Sequence, residues 1–175
     1  MSDKGLQAIS LDLSRLTRAL PEQLQQQAVT ALIIALGSNY QADYYLAMVG
    51  KSLATLGDIR LSTAFKNPDY TATVAQPKPD YTNQCVYLAL TQSMTLEQLQ
   101  PIFKDFEADC HRQRLSEHTD TRRVTMDIDI LLVTLNPKKN SLSDISKLNW
   151  IIMADRYPFK THELIGVAEL VKAGL

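Results

Sequence analysis

The spacing of apolar residues along the chain changes character several times, and each change marks a predicted element. Residues 1–28 stand apart from the remainder of the chain. Leu11, Leu13, Leu16, Leu20 and Leu24 recur among glutamines and charges, a spacing that predicts a short amphipathic helix broken or restarted at Pro21. This stretch reads as an N-terminal helical extension packed on the domain or on a partner, and the domain proper is expected over residues 29–175. Residues 30–36 form an unbroken apolar run ending in Gly37-Ser38-Asn39, the pattern of a buried strand entering a tight turn. Asp43 is then predicted to cap a helix whose Leu46, Val49, Leu53 and Leu56 share one face, with Gly57 as its C-cap. Residues 59–65 alternate apolar and polar, as a half-buried strand does.

A loop containing Pro68, Pro77 and Pro79 comes next. It is too long for a hairpin turn, and long loops within compact domains tend to be functional, so it is a candidate for the site. Residues 85–90 predict the next strand. Thr95 and Gln98 make a capping-box pattern, and Leu96, Leu99, Ile102, Phe103, Phe106 and Cys110 mark the buried side of a second helix. A polar, arginine-rich loop spans 112–123, and residues 125–133 are the strongest strand in the sequence. The order β-α-β-β-α-β predicts an α+β fold of ferredoxin-like type, an antiparallel sheet with both helices on one face. Beyond it, residues 136–139 predict a turn, 150–153 a further strand and 162–170 a last helix.

Composition narrows the class. Hydrophobic residues make up 45% and charged residues 21%, values of a folded globular protein rather than a disordered chain. A net charge of −1 argues against a general nucleic-acid binder. The local exception is Arg112, Arg114, Arg122 and Arg123, a cluster better suited to a small anionic ligand than to a polymer. Cys85 and Cys110 both lie in apolar patterns and read as buried thiols of a reducing compartment. No stretch approaches the roughly 18–20 apolar residues of a membrane span, and the N-terminus lacks a signal peptide's apolar run. A cytoplasmic protein without a membrane partner is expected.

The chemistry concentrates in Met126-Asp127-Ile128-Asp129-Ile130. On a strand, acids at i and i+2 project from one face while their apolar neighbours enter the other. Two such carboxylates repel, and burial raises the cost further, so a cation is the natural way to hold them. Oxygen ligands shared with a nucleotide's phosphates are the usual setting for Mg²⁺. The competing reading is a solvated strand face, and the spacing alone does not decide between them. Two neighbours favour the metal: the apolar continuation to Val133, and the arginine-rich loop just before the strand. Guanidinium groups beside such a metal spread the charge that develops in phosphoryl transfer. There is no GxxxxGK[ST] loop, and His111, His118 and His162 are too scattered for a zinc site.

These residues, taken together, resemble the 6-hydroxymethyl-7,8-dihydropterin pyrophosphokinase family. Ile33-Ile34-Ala35-Leu36-Gly37-Ser38-Asn39 is similar to that family's ALGSN start, and Pro79-Asp80-Tyr81-Thr82-Asn83 to its PDYxN segment. Phe106-Glu107 followed by Arg112 is similar to its IExxxxR stretch, and residues 125–132 to its TLDLDIL signature. The resemblance implies a ferredoxin-like fold and transfer of pyrophosphate from ATP, the co-substrate, to the hydroxymethyl oxygen of a reduced pterin, with two Mg²⁺ ions. Carried over, Asp127 and Asp129 bind the metals, and Glu107, Arg112, Arg114 and Arg123 contact ATP. Arg112 and Arg123 are then catalytic beside the aspartates, while Asn67, Pro68, Tyr81 and Asn83 line the pterin pocket. The pattern departs at Val124, where the family has an arginine that the neighbouring Arg123 could replace. It departs again at Ala154-Asp155-Arg156, where a histidine segment is expected, and at His162, which falls where an aromatic stacks on the pterin. Two alternatives stay open: a paralogue with another acceptor or little activity, and a non-catalytic binding module on the same fold. A monomer is expected, with dimerisation through the extension as the alternative.

Overall fold

A computed structural model describes residues 12–112, 123–135 and 150–174. The predicted turn at 136–139 and the first part of the predicted N-terminal helix lie outside these residues. The sheet is built from β1 (Thr17–Ala19), β2 (Ala28–Ser38), β3 (Gly57–Leu61), β4 (Phe65–Asn67), β5 (Tyr81–Thr95), β6 (Asp127–Thr134) and β7 (Trp150–Met153). Their order across the sheet is β1-β7-β6-β2-β5-β3, with β4 pairing on β5. The four strands β6-β2-β5-β3 pair antiparallel and form the expected ferredoxin-like core.

β2 is apolar from Ala31 to Leu36 because both of its faces are covered there. Leu32, Ile34 and Leu36 pack under α2 (Ala42–Ala54) and α3 (Leu96–Asp109), in a cluster with Leu46, Val49, Leu53, Leu99 and Phe103. Ala31, Ile33 and Ala35 point the other way, into a second cluster with Val167 and Leu170 of α4 (Thr161–Lys172). The two helices expected on one face are there, and α4 closes the opposite face. The capping box at the start of α3 forms as predicted: the Gln98 amide N–H donates to the Thr95 hydroxyl at 3.3 Å, and the Thr95 N–H donates to the Gln98 side chain at 2.9 Å.

Several local expectations are corrected. The described part of the extension is not one helix but a 3-10 turn (Leu13–Arg15), the short strand β1 and a single α-helical turn, α1 (Pro21–Leu24). Helix does restart at Pro21, whose fixed φ suits a first helical position. β1, however, runs parallel to β7 and extends the sheet edge. The N-cap of α2 is Gln41, in the left-handed region at φ 45°, rather than Asp43, which sits in the first turn. Gly57 is not a C-cap; it opens β3, and Thr55 caps the helix. β5 reaches far beyond 85–90 at both ends, because its polar residues pair with β2 and β4, half-buried or buried at the first end and exposed over Thr91–Ser93 at the other.

Glycine at position 57 is required by close approach: a Cβ there would stand 1.9 Å from the Ala89 carbonyl oxygen. Gly50, inside α2, has nothing within 4 Å of such a Cβ. Gly57→Ala should therefore destabilise the fold by more than about 2 kcal/mol, a backbone clash that cannot be relieved by a rotamer. Gly50→Ala should raise stability by about 0.5–1 kcal/mol. Urea unfolding of the two variants checks both signs.

Candidate active site

The site grows from the middle of the sheet. Gly37 pairs with Asn83 on one side and Asp127 on the other, so Asn83, Gly37 and Asp127 form one row across three strands. Ala35 stands likewise between Cys85 and Asp129. Small side chains on the central strand leave room between the flanking polar groups. A Cβ on Gly37 would meet the Asn83 side-chain oxygen at 3.1 Å. The residues after Gly37 have a different task. The Asn39 side chain accepts from the Val124 N–H at 2.6 Å, and the Asn39 N–H donates to the Val124 carbonyl at 2.9 Å. The Ser38 hydroxyl lies 3.3 Å from the same carbonyl. Ser38 and Asn39 thus pin the entry to β6, and with it the position of Asp127. Gly37 and Ser38, expected in the turn, belong to β2, and the chain bends from Asn39.

β6 holds both carboxylates on the α4 side, while Met126 and Ile128 enter the core under α2 and α3. A bulge keeps them there: Ile33 pairs with Leu132 but Ile34 with Ile130, leaving Leu131 as the extra residue. The bulge reverses the phase, so that Val133 joins the α2–α3 core although it is odd-numbered like the aspartates. Beyond the bulge β7 covers only Leu132–Thr134, and no described strand covers 127–131 on that side. Glu107 fills part of this edge. Its carboxylate, 1% exposed, accepts from the Ile128 N–H at 3.0 Å and is bridged by Lys104 at 3.1 Å.

Two cavities flank the pair. The first, about 330 Å³, has Asp127, Asp129, Asn67, Pro68, Tyr81 and Asn83 in its wall together with Lys160, His162 and Glu163. Six predicted site residues meet here, brought from β4, β5 and β6. The second, about 290 Å³, lies across β6 and is lined by Phe103, Ile128, Ile130, Met153, Gln100, Lys104 and Arg156, again with Asp129. Asp129 alone among the predicted residues belongs to both. Arg112 and Arg123 line neither. Arg123 is exposed, its guanidinium carbon 4.0 Å above the Tyr40 ring, and Arg112 is half-buried just past the end of α3. Arg114 lies outside the described residues. Glu107 stands behind β6 rather than in either cavity wall.

The charged residues of the two cavity walls that were not assigned by the sequence reading include Lys104, Asp155, Arg156, Lys160 and Glu163. Arg156, in the 3-10 turn after β7, donates to Asp129 at 2.7 Å and lies 3.6 Å from Glu163. Glu163 is buried and accepts from the Lys160 N–H at 2.7 Å, which fixes the start of α4. Burial pushes the Asp129 carboxyl up to about 6, and the neighbouring Asp127 adds to the rise, so that Arg156 only partly offsets them. His162 is shifted down, chiefly by burial, which favours the neutral ring. The carboxylate pair therefore retains uncompensated repulsion. It offers hard oxygen ligands to a cation, and no group of three or more metal-ligating side chains occurs among the described residues. That donor set fits Mg²⁺, which takes its remaining ligands from water and substrate phosphates.

The family described as 7,8-dihydro-6-hydroxymethylpterin-pyrophosphokinase matches residues 33–153, well over half of the chain. No curated protein matches it.

The raised pKa has a consequence for stability. In the unfolded chain Asp129 titrates near 3.8, in the fold near 6, so the folded state holds its proton more tightly. This group's contribution becomes unfavourable as pH rises from about 4 to above 6. Asp129→Asn should stabilise the metal-free protein by about 1–3 kcal/mol at pH 7, with Arg156 still facing Glu163, and by little at pH 4. Unfolding curves at the two pH values measure the difference.

Proposed function

The chain belongs to the 7,8-dihydro-6-hydroxymethylpterin-pyrophosphokinase family, and from that premise we propose that it transfers the β,γ-pyrophosphate of ATP to the hydroxymethyl oxygen of 6-hydroxymethyl-7,8-dihydropterin. The products are AMP and the pterin diphosphate, in folate biosynthesis. The observation that carries this reading is the position of Asp129 in the walls of two separate cavities. A two-substrate transfer needs donor and acceptor on either side of one anionic centre, and β6 supplies that centre.

The first cavity suits the pterin. Asn67 and Asn83 offer amide groups of the kind that read a ring's polar edge, and Tyr81 and the neutral His162 offer flat faces for stacking. The second suits the nucleotide, with the apolar surfaces of Phe103, Ile130 and Met153 for a base and Lys104 and Arg156 for phosphates. Asp127 and Asp129 would hold two Mg²⁺ ions, which when bound neutralise phosphate charge. In the transfer the acceptor oxygen forms a bond to the β-phosphorus as the α,β-bridging bond breaks, AMP keeps the bridging oxygen, and the hydroxyl proton is released. The side chains align the two substrates and exclude water. Arg156 would turn from Asp129 to the phosphates as the carboxylates take up metal, a move its place in the second cavity allows.

A second reading is favoured by two observations: Arg156 already neutralises part of Asp129, and Val124, where the family carries an arginine, is buried. This fits a divergent member with another acceptor or little activity. Incubation with ATP, Mg²⁺ and the hydroxymethylpterin separates the two. AMP together with pterin diphosphate supports the first; tight Mg–ATP binding without AMP supports the second. Asp127→Ala and Asp129→Ala should each lower turnover by at least about 10³-fold with the fold intact by circular dichroism. Normal turnover in both variants would remove the metal assignment.

A further inference from the structure

We propose that the segment running from β1 through α1, which precedes the stretch matched by the family, is a working wall of the second cavity and positions the nucleotide. The proposal rests on reading that cavity as the nucleotide's. The segment is tied to both sides of the opening. On one side Thr17, Arg18 and Ala19 pair with Ile151, Ile152 and Met153 of β7, and the Arg18 guanidinium carbon lies 3.8 Å from the centre of the Tyr157 ring. Tyr157 directly follows Arg156, so this contact bears on the turn that delivers Arg156 to Asp129. On the other side the Gln25 amide nitrogen donates to the Pro21 carbonyl at 3.1 Å and reaches the Gln100 side-chain oxygen at 3.4 Å. Gln26 bonds Glu97 one turn earlier on α3. Between these ties Pro21 itself enters the cavity wall.

The chain therefore crosses from the β7 edge to α3 directly beside the cavity, and its bonds have a chemical effect there. With Gln25 engaging the Gln100 oxygen, the Gln100 NH₂ is the group left to donate to an acceptor on the base. Pro21, rigid and without an N–H, supplies an apolar wall that competes for no hydrogen bond. A planar base with acceptor nitrogens, held between Pro21 and the apolar side of β6, fits this chemistry. Gln25 and Arg18 act as positioning residues: one orients Gln100, the other the turn bearing Arg156.

Point variants of the full chain test the idea. Gln25→Ala and Arg18→Ala should each weaken ATP binding by about fivefold in calorimetry and raise KM for ATP by a similar factor. The KM for the pterin should hold in both. Gln27→Ala, an exposed change in the same segment with no side chain in the cavity, should leave ATP affinity alone. ATP affinity unchanged in both folded variants, with the wild type binding ATP, would overturn this proposal and leave the reading of the cavity standing. A wild type that binds no nucleotide would overturn both. Equal losses in ATP and pterin affinity would also overturn it, since general loosening of the fold moves both.

Discussion

Two carboxylates two residues apart on a central strand repel each other at a cost that rises with burial, and much of the surrounding structure exists to bear it. Gly37 and Ala35 stand between the flanking strands and keep the adjacent space open. Ser38 and Asn39 fasten the backbone just before Asp127. Glu107 accepts the Ile128 N–H from behind, and Arg156 and Lys160 place positive charge in front. None of this offsets burial, which with the neighbouring Asp127 still pushes Asp129 up to about 6. A protein selected for stability alone would place an apolar residue at 129. An acid held in a cleft against that penalty is a candidate for chemistry.

The aspartates project from a face of the sheet, so their access depends on what covers that face and not on strand pairing: Ala35 and Gly37, on a strand paired along both edges, line the same cavity. Among the described residues β7 pairs only with Leu132–Thr134, and the first half of β6 has helices on one face, a cavity on the other and a second cavity beside its edge. The bulge at Leu131 reconciles the halves, letting the polar half and the closed apolar half share one strand with opposite phases.

The sheet core was legible in the sequence because period-2 and period-3.6 patterns report burial on a face, and the faces of β2, α2 and α3 are well separated. Local rules failed where a long-range contact overrode them. Gly57 sits where a helix ends, so it reads as a cap, but the approach of the Ala89 backbone is what demands it. The leucines of the extension suggest helix, yet a free edge at β7 captures three of its residues as a strand. At the site, residues contributed by contiguous motifs were found and those contributed by distant chain were not. Asn83, Asp127 and Asp129 lie in motifs; Arg156 and Glu163 reach Asp129 from nearly thirty residues or more downstream, where no local pattern marks them. Glu107 also lies in a motif yet bonds the Ile128 N–H outside both cavity walls, because a motif does not say which way a side chain points.

Arg156 is where these threads meet. Its guanidinium bonds Asp129 and faces Glu163, while its Nε is buried without a hydrogen-bond partner among the described residues. A buried guanidinium donor left unmatched costs free energy, so this arrangement is a compromise rather than a resting optimum. Phosphate oxygens arriving in the second cavity would offer the missing acceptors, while a cation arriving between the aspartates would replace the charge that Arg156 now supplies. On the proposed reading each event would lower the cost of the other and so couple nucleotide and metal binding through one side chain. The turn that carries Arg156 is steadied by Arg18 on Tyr157, so the strand that extends the sheet edge bears on that coupling as well.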